Sequence, residues 1–168
     1  MLSSGGMLGN RYEREICSAA RSLEVVGERW SLLIIRDALF AGVSRFSDFA
    51  RRLGMARNIL AARLESFVEA GIMERRSSDD SAYDQYFLTD KGRDLAPIIV
   101  ALTKWGDKWQ APNGPPIIYR HVACGTEVEQ YVQCPRCNYN VKPDELGVTR
   151  GPGFGSGPLA NRWALGRH

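Results

Sequence analysis

What the chain lacks is the first guide to what it does. Its 168 residues include only two histidines, His121 and His168, and no pairing of a nucleophile with a general base is suggested by the sequence. No glycine-rich loop follows a strand and opens a helix; the glycine-rich stretch 151–157 has no helix behind it. An enzyme is therefore not expected. No apolar run approaches the length that spans a bilayer. The first ten residues, MLSSGGMLGN, carry neither a basic region nor a long apolar one, so neither anchor nor leader is expected and the protein is read as cytoplasmic. Cysteine is scarce too. Three of the four lie between 124 and 137, a crowding that in a cytoplasmic protein suggests metal or redox chemistry before a structural disulfide.

What is present organises itself around residues 45–76, RFSDFARRLGMARNILAARLESFVEAGIMERR. Two short helical patterns flank Gly54-Met55. In the second, Ile59, Leu60, Leu64, Phe67 and Val68 recur at helical spacing as a buried face, and Gly71 ends the helix. The other face offers Arg57, Asn58, Ala61 and Arg63 at its N-terminal end. A helix that enters a DNA groove needs this division, with an apolar back to anchor it and small or hydrogen-bonding residues in front. Between Arg45 and Arg63 five arginines stand against one carboxylate, Asp48, an excess of four, whereas the whole chain carries only +3. Arg57, Asn58 and Ala61 are expected at base edges, Arg63 at the groove wall, and Arg45, Arg51 and Arg52 at flanking phosphates. Exposed arginines also make ordinary solvated surface, and paired helices of this kind occur in proteins that bind no DNA, so the pattern alone leaves that alternative open.

The flanks extend the reading. Residues 1–10 are read as a flexible N-terminus, 11–110 as a winged helix-turn-helix DNA-binding and dimerisation domain, and 111–116 as a linker. Residues 117–147 form a Cys/His ribbon-like segment, and 148–168 a flexible tail. The fold class is mainly α with a small β-hairpin. Ile16, Ala19, Ala20, Leu23 and Val26 predict an amphipathic helix over 12–26 that contains Cys17; Trp30–Phe40 predicts a buried one; Ser47 is placed to cap the next. Strands at 72–76 and 86–88, joined by the polar SSDDSAYDQ, predict a hairpin. Arg75 and Arg76 could reach phosphate from this wing, against the opposing charge of Asp79, Asp80 and Asp84. Thr89 caps a further helix whose stripe runs Leu95, Ile98, Ile99, Leu102, Trp105 and Trp109, with Pro97 expected to bend it. That stripe suits either the protein's own first helix or a second copy. The homodimer interface is assigned to Leu95, Ile99, Leu102, Trp105 and Trp109, since a two-fold assembly reads both halves of a pseudo-palindrome.

These segments resemble the HxlR-type family of winged helix-turn-helix transcriptional regulators. The resemblance rests on Cys17 ten residues before Gly27, then GERWSLLIIRDALFAGVSRFSDFARRLG (27–54), NILAARLESFVEAGIMERR (58–76) and YFLTDKGRDLAPIIVALTKWG (86–106). It implies a dimeric bacterial regulator with the 57–70 helix in the major groove of double-stranded DNA, the hairpin on the backbone, and the terminal helices at the dimer interface. It also implies an oxidant signal, because in some members the N-terminal cysteine senses oxidants. Cys17 stands there, as a thiol-based redox sensor or as a buried inert cysteine. Separately, a small-molecule signal could bind between the dimer helices and the winged domain near Trp30, Trp105 and Trp109, although buried core tryptophans look the same in sequence. The sequence departs from the family at Ser18, where a proline is usual, and in a wing without its usual proline.

Beyond Pro112 the character changes. His121-x2-Cys124 is followed after nine residues by Cys134-x2-Cys137. Two pairs of soft ligands at this spacing match a tetrahedral structural zinc, each pair chelating from a tight turn. A metal-free thiol cluster and a disulfide use the same residues. Glu127–Gln133 is expected to form a strand returning towards Cys134, making a ribbon too small to bury a core. A second class of function follows from this segment, a protein–protein interaction module with the ribbon as working surface.

Overall fold

The computed structural model describes residues 17–78 and 81–154. The proposed flexible N-terminus (1–10) and the tail from 155 onward lie outside them. Among the described residues the helices run α1 Ser18–Val26, α2 Ser31–Phe40, α3 Phe46–Leu53, α4 Arg57–Glu69, α5 Asp90–Arg93 and α6 Ala96–Trp109. The strands are β1 Met73–Ser78 and β2 Ser81–Leu88, an antiparallel pair, and β3 Gln133–Cys134 with β4 Tyr139–Asn140. The first pair follows α4 directly, which gives a mainly helical fold with a small β-hairpin.

One apolar core joins the described residues from Val26 to Ile99. Ile34 and Ile35 of α2, Phe49 of α3, and Leu60, Leu64 and Phe67 of α4 are almost completely shielded from water. Met73, Tyr86 and Leu88 of the hairpin and Ile99 of α6 join the same cluster. Each such side chain contributes about 1.5–3 kcal/mol by leaving water. The buried positions 60, 64 and 67 fall within one narrow arc of α4 at helical spacing. Ile59 does not; it is 43% exposed, so its assignment to the buried face is corrected. It lies a full 100° from Leu60 around the axis.

The core also contains a carboxylate. Asp37 of α2 is 3% exposed and takes bonds from Arg36 on one oxygen (2.8 and 2.9 Å) and from Arg52 of α3 on the other (3.2 Å). A buried charge requires such partners, and this one ties α2 to α3. At the far end, the Thr89 hydroxyl donates to the Gly71 carbonyl (2.7 Å) and accepts from the Gly92 amide (3.2 Å). It thereby caps α5, as expected. Gly92 itself lies so close to β1 that a Cβ there would meet the Ile72 carbonyl oxygen at 2.3 Å.

Several local expectations change. Cys17 is the N-cap of α1 and not a residue within it, and residues 12–16 lie outside the described part. Ser47 is the second residue of α3, whose N-cap is Arg45. Pro97 does not bend a long helix. It sits in the first turn of α6, after the short α5, where a missing N–H costs nothing and the fixed φ suits the helix. The hairpin strands are longer than their apolar residues suggested, because backbone pairing extends through polar Gln85 and Arg76 out to Ser78 and Ser81, with an irregularity between Arg76 and Ser78. A third segment joins this sheet: Arg45 bridges Gln85, and the Tyr86 amide donates to the Ser44 carbonyl at 2.8 Å.

Candidate nucleic-acid interface

The turn between α3 and α4 sets the geometry of the exposed helix. Gly54 adopts φ +62° and ends α3, a conformation that favours glycine. Met55 follows, buried at the base of α4. Ala56 is the N-cap of α4 and offers no side-chain acceptor, where Ser, Thr, Asn or Asp would normally satisfy a free amide. The first turn of α4 therefore presents N–H groups with no side-chain cap. Arg57 and Asn58 are exposed beside it, and Ala61, Ala62 and Glu65 continue the same outward face. Ala62 was absent from the expected contact set although its spacing from Asn58 and Ala61 announces it. Ile59 is a further outward residue, of a kind that contacts thymine methyl groups.

The arginines divide by what already holds them. Among the described residues no carboxylate pairs with Arg45 or Arg57. Arg57 lies over the Phe46 ring at 4.9 Å, and with Arg45, Phe46, Ser47 and Tyr83 it lines a recess of about 450 Å³ between α3 and the wing. Tyr83, 79% exposed on β2, was also missed; a lone tyrosine in a polar stretch carries no periodic signal. Arg51 bonds Asp48 at 2.6 Å on the surface. Arg52 is committed to the buried Asp37. Arg63, expected at the groove wall, leans back to within 3.9 Å of Glu28 and is 27% exposed. Arg75 stands between Glu65 (3.3 Å) and Asp84 (3.7 Å). Arg76 pairs with Glu74 and covers the Phe87 ring at 4.7 Å. The local charge excess counted along the chain is thus smaller in space, because Asp37 and Glu28 arrive from other elements. Asp79 and Asp80 lie outside the described residues.

The helix assigned to dimerisation also divides. Leu95 packs against the core and Ile99 belongs to it, so these two are corrected: they face inward. Ile98, Leu102, Trp105 and Trp109 face out, at 49, 52, 56 and 62% exposure, and their spacing of four, three and four residues makes one continuous stripe. Cys17 is half-buried and joins no disulfide among the described residues.

In the C-terminal segment the structure brings His121 to Cys124 (Nδ1 to Sγ, 3.2 Å), and Cys134 to Cys137, which hydrogen-bonds it. It does not bring the two pairs together. Among the described residues no three His, Cys, Asp or Glu side chains form a group able to hold a metal ion. Hydrogen bonds from the Thr126 side chain and amide hold the Cys124 thiol below its ordinary pKa. The Cys137 amide and thiol, with the Arg136 amide, do the same for Cys134. The expected strand over 127–133 is reduced to an isolated bridge, Arg120 to Glu127, and the two-residue β3. The segment rests on the helices through Tyr119, whose ring lies 4.7 Å from that of Phe40, and through Lys104 of α6, which bonds Glu127.

Comparison with known proteins gives concordant results. A family model described as HxlR-like helix-turn-helix matches residues 25–114. Rv3095 of Mycobacterium tuberculosis, described as an uncharacterised helix-turn-helix-type transcriptional regulator, is 44% identical over 149 residues, covering 88% of this chain and 92% of its own length. That span exceeds the family match, so the likeness runs on into the C-terminal segment. The crystal structure of PA1607, described as a candidate transcription factor, covers 80% of this chain and 95% of its own at 38% identity, with a TM-score of 0.73. The reduced form of the redox regulator HypR covers 55% and 92% at 26% identity, with a TM-score of 0.50.

Proposed function

Because the chain belongs to the HxlR-like helix-turn-helix family of transcriptional regulators, we propose that it binds a pseudo-palindromic operator as a homodimer, with α4 in the major groove. One observation carries this reading: α4 begins without a side-chain cap, beside two arginines that no described carboxylate neutralises. Uncapped amides and adjacent guanidinium groups are what a phosphate or a base edge binds. Arg57, Asn58 and Ala61 meet the bases, with Ala62 and Ile59 beside them. Arg45 and Arg57 take the nearest phosphates. Arg51, Arg75 and Arg76 exchange surface carboxylates for phosphate, a weaker gain. Arg52 and Arg63 position the helices. A regulator acting on the chromosome works in the cytoplasm.

The dimer forms through the outward stripe of α6, since a contiguous apolar face of this size calls for cover. Trp105→Glu should convert dimer to monomer in sedimentation analysis, and an unchanged mass would remove the stripe from the interface. For DNA, selection from a random duplex pool followed by anisotropy titrations at several salt concentrations tests the assignment. Arg57→Ala should weaken binding about tenfold and lower the salt slope by about one. Asn58→Ala should change the preferred sequence. Wild-type behaviour in both variants would refute the placement of α4.

A second reading concerns regulation. HypR is a redox regulator, and Cys17 stands at the N-terminal boundary of α1, partly accessible and with no side-chain capping bond, the kind of position where a thiol reacts. On this reading an oxidant lowers operator affinity of the native chain and leaves Cys17→Ser unaffected; equal responses would exclude it.

A further inference from the structure

From 112 to 154 no described residue is buried. Val122 is 99% exposed, and Tyr131, Val132 and Val148 are all more than half exposed. Segments this small and this open do not hold a shape by burial, yet this one contains two turns of the same construction. In the first, the Gly125 amide donates to the His121 carbonyl at 2.8 Å; in the second, the Asn138 amide donates to the Cys134 carbonyl at 2.9 Å. Each turn carries a metal-binding side chain at its first and fourth positions, His121 and Cys124, then Cys134 and Cys137. Each then passes through left-handed backbone at the fifth, Gly125 at φ +71° and Asn138 at φ +55°. Asn138 is the one non-glycine residue with positive φ among those described, and asparagine is among the few side chains that tolerate it.

The sulfur environment is alike as well. Thr126 donates to Cys124, and the amides of Cys137 and Arg136 donate to Cys134. Donors aimed at sulfur are the outer contacts that orient a metal-ligating side chain. The His121 Nδ1 to Cys124 Sγ distance of 3.2 Å is near the ~3.6 Å edge defined by tetrahedral bonds of ~2.0 Å to nitrogen and ~2.3 Å to sulfur.

We propose that His121, Cys124, Cys134 and Cys137 together hold one structural zinc ion, two donors from each turn, and that the ion is what joins the turns into a single ribbon. The chain builds each half of the site; the gap between the halves is what the metal closes. Binding replaces three thiol protons, so one Zn²⁺ is taken up and three H⁺ are released. With a neutral imidazole as the fourth donor the centre carries one net negative charge. All four positions are filled by protein, which leaves no open coordination site for catalysis and makes the role structural. The inference stands apart from the DNA-binding reading, because neither turn includes a residue of the α4 face.

The test is metal content of the full chain purified under reducing conditions, read with the cobalt-substituted spectrum. One zinc per chain is expected, together with the strong ligand-field and sulfur-to-metal bands of a tetrahedral cobalt site. Cys134→Ser should retain less than a tenth of the metal while far-ultraviolet circular dichroism shows the helices intact. His121→Ala should bind more weakly and give an altered cobalt spectrum. To guard against a variant that misfolds, zinc is also titrated against a chromophoric chelator in the native chain, where a single site releasing three protons is expected. No stoichiometric metal in either experiment would overturn the proposal. So would mass-spectrometric evidence that Cys134 and Cys137 are already joined, or a His121→Ala spectrum identical to the native one.

Discussion

The winged-helix part and the cysteine-rich part of this chain are ordered by opposite means. In the first, Phe49, Leu60, Leu64 and Phe67 are withdrawn from water, and the exposed surface is free to specialise because it carries none of the stability. In the second, nothing is withdrawn, and the order lies in short backbone loops and the side chains they aim. A region held by burial tolerates any surface and no change inside; a region held by a few polar contacts tolerates the reverse.

The contrast can be broken at several points. Phe67→Ala should cost the winged-helix part about 3–5 kcal/mol in denaturant unfolding followed by tryptophan fluorescence, whereas Tyr131→Ala, at an exposed site, should cost less than about 0.5 kcal/mol. Comparable losses would mean that the second region has a core after all. Next in size, a strong chelator should accelerate proteolytic cleavage between 117 and 147 and leave the thermal midpoint of the helical part unchanged; a joint shift would show the two regions to be one cooperative unit.

The smallest effect lies at their contact. Lys104 holds the Glu127 carboxyl below its ordinary value, and Glu127 raises the Lys104 ammonium above its own. The lowered carboxyl contributes stability that is complete above its unfolded pKa of ~4.3 and lost as pH falls through the lower folded value. The raised ammonium contributes below ~10.4 and is lost as pH rises through its higher folded value. Docking should therefore be flat with pH between these limits. Followed by the nuclear resonance of the Val128 amide, which bonds the Tyr119 carbonyl, the acid midpoint should lie below ~4.3 and move up in Lys104→Ala. An unmoved midpoint would remove the ion pair from the contact.

The same division decides what could be read in the sequence. Leu60, Leu64 and Phe67 announce the buried face of α4 because burial repeats with the helix, and Thr89 announces its cap because the chemistry is local. Ile59 misleads because an apolar residue beside a buried stripe looks the same as one within it. The arginines mislead for another reason: Asp37 and Glu28 are distant in sequence from Arg52 and Arg63, so a local count cannot see the neutralisation. Ser44 and Arg45 join the sheet mainly through backbone pairing, with one polar bond from the Ser44 hydroxyl to Gln85, and neither leaves a periodic mark in side-chain pattern. In the Cys/His segment the spacing disclosed each turn but not their separation, because nothing apolar between them fixes a register.

Ala56 leaves one last consequence. A serine or aspartate there would seal the start of α4 and make the free protein more robust by about 0.5–2 kcal/mol, but with α4 placed as proposed it would occupy the amides offered to the operator and, if acidic, repel its phosphates. Durability and grip are therefore rivals at this position, and the alanine found there is the residue that concedes the first to keep the second.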